Sequence, residues 1–98
     1  MIGEIDLTNC EDKVKTLHEF IFEKRDRCGG MLMSLIIPPA LKSLMYNVKT
    51  EPSIPDSEHF YFYGWYNVCF CEIYIDTSLT DSFYLIGNNK TAKLKVKK

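Results

Sequence analysis

Apolar and polar positions follow two different periods along this chain, and the change comes near residue 59. In the first half, Val14, Leu17, Ile21 and Cys28 fall near one helical face, with Cys10 starting it and Phe20 widening it. That spacing predicts a helix over about residues 9–28. Thr8 and Glu11 offer a capping box at its start, Lys24, Arg25 and Arg27 suit the negative end of its dipole, and Gly29-Gly30 supplies the stop. Residues 31–37 form a short apolar run between Gly-Gly and Pro-Pro, a length that favours a strand buried on both faces. Pro38 and Pro39 end that run and pre-set a second helix over about 39–47, with Leu41, Leu44, Met45 and Val48 as its apolar stripe. Residues 49–58 contain two prolines and little else that is apolar, which reads as a loop.

Beyond it the period is that of strands. Residues 59–66 are almost wholly aromatic, 67–76 alternate, 82–86 are a short apolar run, and 90–97 alternate cleanly. In the last segment Ala92, Leu94 and Val96 face one way while Thr91, Lys93, Lys95 and Lys97 face the other. Gly64, residues 77–82 and Gly87-Asn88-Asn89 mark turns. The element order is therefore α-β-α-β-β-β-β. The stretch between the 31–37 strand and the aromatic strand is long enough for a parallel crossover, and the later strands follow as antiparallel neighbours. The fold class is α+β: one mixed or mainly antiparallel sheet with two helices packed on it. Residues 1–98 make a single domain, with 1–8 as an N-terminal extension.

Composition narrows the classes. The chain has 98 residues, 46% hydrophobic and 26% charged, with a net charge of −1; it is too apolar and too nearly neutral for intrinsic disorder. No run reaches the ~18 apolar residues of a membrane-spanning helix, and the acidic start is unlike a signal or transit peptide. A pI near 6.1 removes the global electrostatic case for nucleic acid. Cys10, Cys28, Cys69 and Cys71 allow three pairings, but with no leader the expectation is a reducing compartment and free thiols.

Candidate chemistry is sparse. Cys69 and Cys71 would lie on one strand face about 7 Å apart. Zinc pairs generally have two to four intervening residues and a second pair elsewhere, so packing is the preferred reading, with Cys69, Cys71, Ile73 and Ile75 as one inward face. His18 and His59 complete no metal site or triad, and Glu72 and Asp76, some 13 Å apart along a strand, are too distant for an acid–base pair. No phosphate-cradling glycine loop is present. The expectation is a non-enzymatic protein without cofactor or metal.

Charge placement and aromatic clustering point instead to contacts. No Lys or Arg occurs between Lys49 and Lys90, whereas Glu51, Asp56, Glu58, Glu72, Asp76 and Asp81 carry six negative charges, and the last nine residues hold five lysines. Lys93, Lys95 and Lys97 are candidates for nucleic-acid contact. Alternating lysines on a terminal strand also protect an edge from aggregation, and that reading is preferred because no Arg or aromatic interleaves them. The aromatic run has Phe60 and Phe62 on one side and Tyr61, Tyr63 and Trp65 on the other. Helices covering both sides would make it core. If one side lacks cover, Tyr61, Tyr63 and Trp65, with Glu51, Asp56 and Glu58 of the adjoining loop, are the expected partner-binding residues.

The order of elements resembles a known one. A helix leads into 31–37, Pro38-Pro39 starts a helix bearing Leu41 and Leu44, and Phe62-Tyr-Gly64, the apolar 68–75, Asp76-Thr-Ser-Leu79 and Phe83-Tyr-Leu-Ile-Gly87 follow. Over about residues 12–87 this resembles the axial-domain core of tailed-phage major capsid proteins and encapsulins, and small phage or prophage proteins of that layout. A full capsid subunit also has a peripheral domain, an extended loop and an N-terminal arm, for which 98 residues leave no room. The resemblance implies a phage- or prophage-type protein acting through protein–protein contacts, with a protein partner or a second copy, in a virion or its assembly. Host cytoplasm or virion is the implied location. Two alternatives stand beside it: a small phage accessory inhibitor that binds a host enzyme or sequesters a nucleotide, and weak nucleic-acid binding through the C-terminal lysines.

Overall fold

A computed structural model of the chain describes residues 2–24, 32–45, 48–50, 59–66, 71–87 and 90–97. They form a compact α+β fold built on one mixed seven-stranded sheet. The strands are β1 (Ile2–Asp6), β2 (Leu32–Ile37), β3 (Val48–Thr50), β4 (Phe60–Tyr66), β5 (Cys71–Asp76), β6 (Ser82–Gly87) and β7 (Thr91–Lys97). Helix α1 (Lys13–Lys24) follows β1, and a 3-10 helix (Pro39–Leu44) follows β2. Across the sheet the order is β1-β7-β6-β2-β5-β4-β3. The pairs β1–β7 and β2–β5 are parallel; the other four are antiparallel.

This order corrects the expected one at both ends. Residues 2–6 are an edge strand rather than an extension, and Leu7 N–H continues the pairing to the Lys97 carbonyl at 2.6 Å. The strand is consistent with its alternation, since Ile5 and Leu7 are buried while Glu4 and Asp6 are exposed. The parallel partner of β2 is β5 rather than the aromatic strand, which lies one place further out. Strand β7 is consequently interior, flanked by β1 and β6, so its lysines do not guard an edge.

Helix α1 begins later than its periodicity suggested. Thr8 and Asn9 form a turn, and Asp6 Oδ1 accepts from the Thr8 backbone N–H (2.9 Å) and hydroxyl (2.5 Å). With Thr8 so engaged, the cap passes to Asp12, whose Oδ1 accepts from the Lys15 N–H at 3.0 Å. Leu17 and Ile21, four apart, are the fully buried pair of the helix. The expected continuation through Arg25, Arg27, Cys28, Gly29 and Gly30 lies outside the described residues. The second helix is a six-residue 3-10 turn, because β3 begins at Val48 and draws the end of the apolar stripe into the sheet.

One side of the sheet is sealed. Ile5, Leu7, Leu35, Ile37, Tyr66, Cys71, Ile73, Ile75, Phe83, Leu85, Ala92, Leu94 and Val96 join Leu17, Ile21 and Leu41 in a single core. The opposite side differs. Along β2, Leu35 and Ile37 are fully buried but Ser34 and Ile36 are only half-buried, so the apolar run is not enclosed on both faces. Among the described residues no helix is long and apolar enough to cross a membrane.

Candidate functional site

The register builds the second face of the sheet strand by strand. Along one row, Lys93 of β7 lies beside Tyr84 of β6, then Ile36 of β2, Tyr74 of β5 and Phe62 of β4. A neighbouring row runs Thr91, Ile86, Ser34, Glu72, Trp65 and Lys49, the last on β3. On the other side, Lys95 pairs with Ser82 and Asp76 with Phe60. Phe60 is 42% and Trp65 41% exposed, and Phe62, Tyr74, Tyr84, Ile36 and Ile86 are half-buried. Neither α1 nor the 3-10 helix lies on this side, since both send their buried residues into the opposite core.

The rings on this face organise one another. Phe60 stacks on Tyr74 with centroids 5.4 Å apart and planes within 8°. Phe62 meets Tyr74 edge-on at 5.5 Å and Trp65 edge-on at 5.7 Å. Such pairs contribute about 0.5–1.5 kcal/mol each beyond area burial and hold the rings in fixed poses. The Tyr74 hydroxyl donates to Glu72 Oε2 at 2.5 Å, and this hydrogen bond, with some desolvation and the nearby negative charge, holds the phenol above the ordinary tyrosine range. Lys93 Nζ lies 5.9 Å from the Tyr84 ring centroid.

A bulge decides which aromatics share this face. Phe62 pairs with Tyr74 and Gly64 with Ile73, so Tyr63 is an extra residue without an opposite number. Before the bulge Phe60 and Phe62 point outward; after it Trp65 does, and Tyr66 turns into the core. Trp65 therefore joins Phe60 and Phe62, not Tyr61 and Tyr63 as simple alternation required. Tyr61 and Tyr63 are half-buried against the core on the helix side, with Lys42 Nζ 5.2 and 5.5 Å from their ring centroids. Of the expected partner-binding residues, Trp65 is on the open face and Tyr61 and Tyr63 are not. Glu51, Asp56 and Glu58 lie outside the described residues. Lys93, Lys95 and Lys97 are exposed on the open side of β7, opposite Ile2, Glu4 and Asp6 of β1. Phe60, Phe62, Tyr74 and Tyr84 are the rings of this face that sequence reasoning did not assemble. The available signal was Gly64, since a glycine within an otherwise strand-like run marks a bulge rather than a turn.

The other expected chemical groups are placed as follows. Cys71 is buried beside Ile73 and Ile75 on the inward face, and Cys69 and Cys28 lie outside the described residues. His18 sits half-buried on α1 with Nδ1 3.1 Å from the hydroxyl of buried Tyr66. His59 ties the start of β4 to the turn after β5: its carbonyl accepts from Thr77 N–H at 2.8 Å and its ring nitrogen lies 3.3 Å from the Thr77 hydroxyl. Among the described residues no three of His, Cys, Asp and Glu converge as metal ligands. Comparison with known proteins finds no matching family model, curated protein or solved structure.

Proposed function

We propose that this is a non-enzymatic protein that works by protein–protein contact through the open face of its sheet, in the virion or virion-assembly setting that its element order suggests. The observation that carries the reading is the asymmetry of the two faces: one is sealed by α1 and the 3-10 helix, and the other presents Phe60, Phe62, Trp65, Tyr74 and Tyr84 without such cover. Aromatic residues of this kind anchor interfaces because they bury large areas at small entropic cost. A large contiguous apolar patch is a mark of an interaction site.

A photo-crosslinking amino acid placed at Trp65, and a second placed at Glu19 on the exposed side of α1, tests it in the producing cells. Crosslinks to protein from position 65 and not from position 19 are expected. Equal crosslinking from both, or none from 65, refutes the contact surface.

One observation favours a second reading more than the sequence did. Lys93, Lys95 and Lys97 share a face with aromatic rings, the combination that single-stranded nucleic acid uses. Glu4, Asp6, Glu72 and Asp76 are on that face as well, which weighs against it. Retention of a single-stranded oligonucleotide that weakens steeply with salt, and is lost in a Lys93→Ala, Lys95→Ala, Lys97→Ala variant, would establish it.

A further inference from the structure

We infer that the occupant of the open face is a second copy of this chain, packed face to face about a two-fold axis that runs along β2. The inference rests on the contact reading above and names its partner. An isologous interface requires a patch that complements itself when rotated by 180°. Strand β2 is the fourth of seven across the sheet, and the row through its Ile36 is Lys93, Tyr84, Ile36, Tyr74, Phe62. Turned about Ile36 and laid on itself, that row places Ile36 on Ile36, Tyr84 on Tyr74 and Lys93 on Phe62. The ends then meet as cation and aromatic ring, and the middle as apolar on apolar.

Charge follows the same rule. Moving outward from β2 on one side, β7 carries Lys93 and Lys95, and the edge strand β1 carries Glu4 and Asp6. On the other side, β5 carries Glu72 and Asp76, β4 carries only rings on this face, and the edge strand β3 carries Lys49. The rotation lays β1 on β3, but Lys49, in the row of Glu72 and Thr91, stands two rows from Glu4, so the edges add no charge pair. It lays the lysine strand on the ring strand, with Glu72 and Asp76 one strand spacing away. A partner of uniform charge would meet like charges at the lysines of β7 or at the carboxylates of β5, whereas a second copy brings the lysines of β7 within one strand spacing of Asp76.

Size fits a weak, concentration-dependent dimer, on the order of 1,000 Å2 in total. Seven strands at a spacing of ~4.8 Å and a length of five to six residues give a footprint on the order of 500 Å2 before side-chain relief is counted. Standard interfaces take about 800 Å2 per partner, and two twisted sheets pack in this aligned manner about 10 Å apart.

Sedimentation equilibrium of the full chain over a wide concentration range tests the inference, with two charge-reversed variants. The first is Lys93→Glu with Lys95→Glu; the second is Glu72→Lys with Asp76→Lys. All four positions are exposed or half-buried, and unchanged circular dichroism confirms folding. The wild type is expected to dimerise, each variant alone to need at least tenfold higher concentration, and an equimolar mixture of the two to recover most of the loss. Recovery on mixing marks pairing through this face, because the first variant is acidic and the second basic at all four positions. A wild type that stays monomeric at all concentrations overturns the inference, as does a dimer indifferent to both variants. A monomer that still crosslinks to another protein from position 65 overturns the second copy while leaving the contact reading intact. Binding of a single-stranded oligonucleotide to that monomer in place of protein overturns both.

Discussion

Leu35 and Ile36 are adjacent on the central strand and point to opposite faces, so replacing each with alanine measures how differently the two faces are covered. Leu35 is fully buried, flanked in register by Ile73 of β5 and Leu85 of β6. The change to alanine removes three carbon groups. At about 0.8 kcal/mol per buried methylene the transfer loss is roughly 2.4 kcal/mol. A residual void on the order of 60–80 Å3, at about 24 cal/mol per Å3, adds about 1.5–2 kcal/mol. The expected cost is therefore about 4 kcal/mol, a large share of the ~5–15 kcal/mol that holds a domain together. Ile36→Ala removes as many carbons from a half-buried site. Its transfer loss is about half as large and solvent reaches the gap, so about 1 kcal/mol is expected.

Urea melts followed by circular dichroism resolve the difference, at protein concentrations low enough that association contributes nothing. With a slope of about 1–2 kcal/mol/M, the midpoint should fall by roughly 2–4 M for Leu35→Ala and by about 1 M or less for Ile36→Ala. Leu35→Val, costing about 1 kcal/mol, keeps the comparison measurable if Leu35→Ala unfolds outright. Equal penalties at 35 and 36 would mean that both faces are enclosed. The open surface, and the contact proposal with it, would then fail.

Four further outcomes are expected. Asp12→Ala should cost about 1 kcal/mol and shorten α1, whereas Asp12→Asn should be nearly neutral, as thermal melts would show. The Asp6 carboxylate is held below its ordinary range by the Thr8 hydroxyl first, then the Thr8 N–H, and more weakly by Lys97. Its contribution is present above an unfolded value near ~3.9 and lost as pH falls through the lower folded value; Thr8→Ala should move its NMR-measured pKa back up. Tyr74 titrates above its ordinary range, so its contribution is present below ~10 and lost as pH rises through the higher folded value. Glu72→Gln should lower the absorbance-monitored Tyr74 transition. Finally, a Cβ at Gly3 would stand 2.8 Å from Leu94 Cδ2 in the core, so Gly3→Val should cost about 1–3 kcal/mol by overpacking.

What the sequence disclosed was local and periodic. The alternation of Ala92, Leu94 and Val96 with Thr91, Lys93, Lys95 and Lys97 reappears as alternate burial along β7, and Cys71, Ile73 and Ile75 as the inward side of β5. Leu17 and Ile21 were legible because a helix repeats every 3.6 residues. Strand order was not, because it depends on partners far apart in the chain. The terminal lysines read as an edge until Ile2–Asp6, some ninety residues earlier, paired outside them. That strand carries its own alternation, but its acidic residues disguised it as a tail; in the sheet they stand beside Lys95 and Lys97 in register, where opposite charges are favourable.

The candidate site turns on a single residue that periodicity could not place. Strand β4 answers two demands that a regular strand cannot meet together. At its start, Phe60 and Phe62 must face outward to stack with Tyr74. At its end, Tyr66 must face inward, where its ring is buried and its hydroxyl reaches His18 on α1. Four residues separate Phe62 from Tyr66, an even step that in a regular strand puts both on one side. The extra residue at Tyr63 changes the parity and also increases the local twist. Gly64, buried and lacking a side chain, then faces Ile73, so the reversal adds no bulk to the core. Trp65 is carried outward by the same step. The exposed ring cluster is in this sense a consequence of anchoring Tyr66: the residue that locks the sheet to its helix fixes, one place earlier, the largest side chain of the open face.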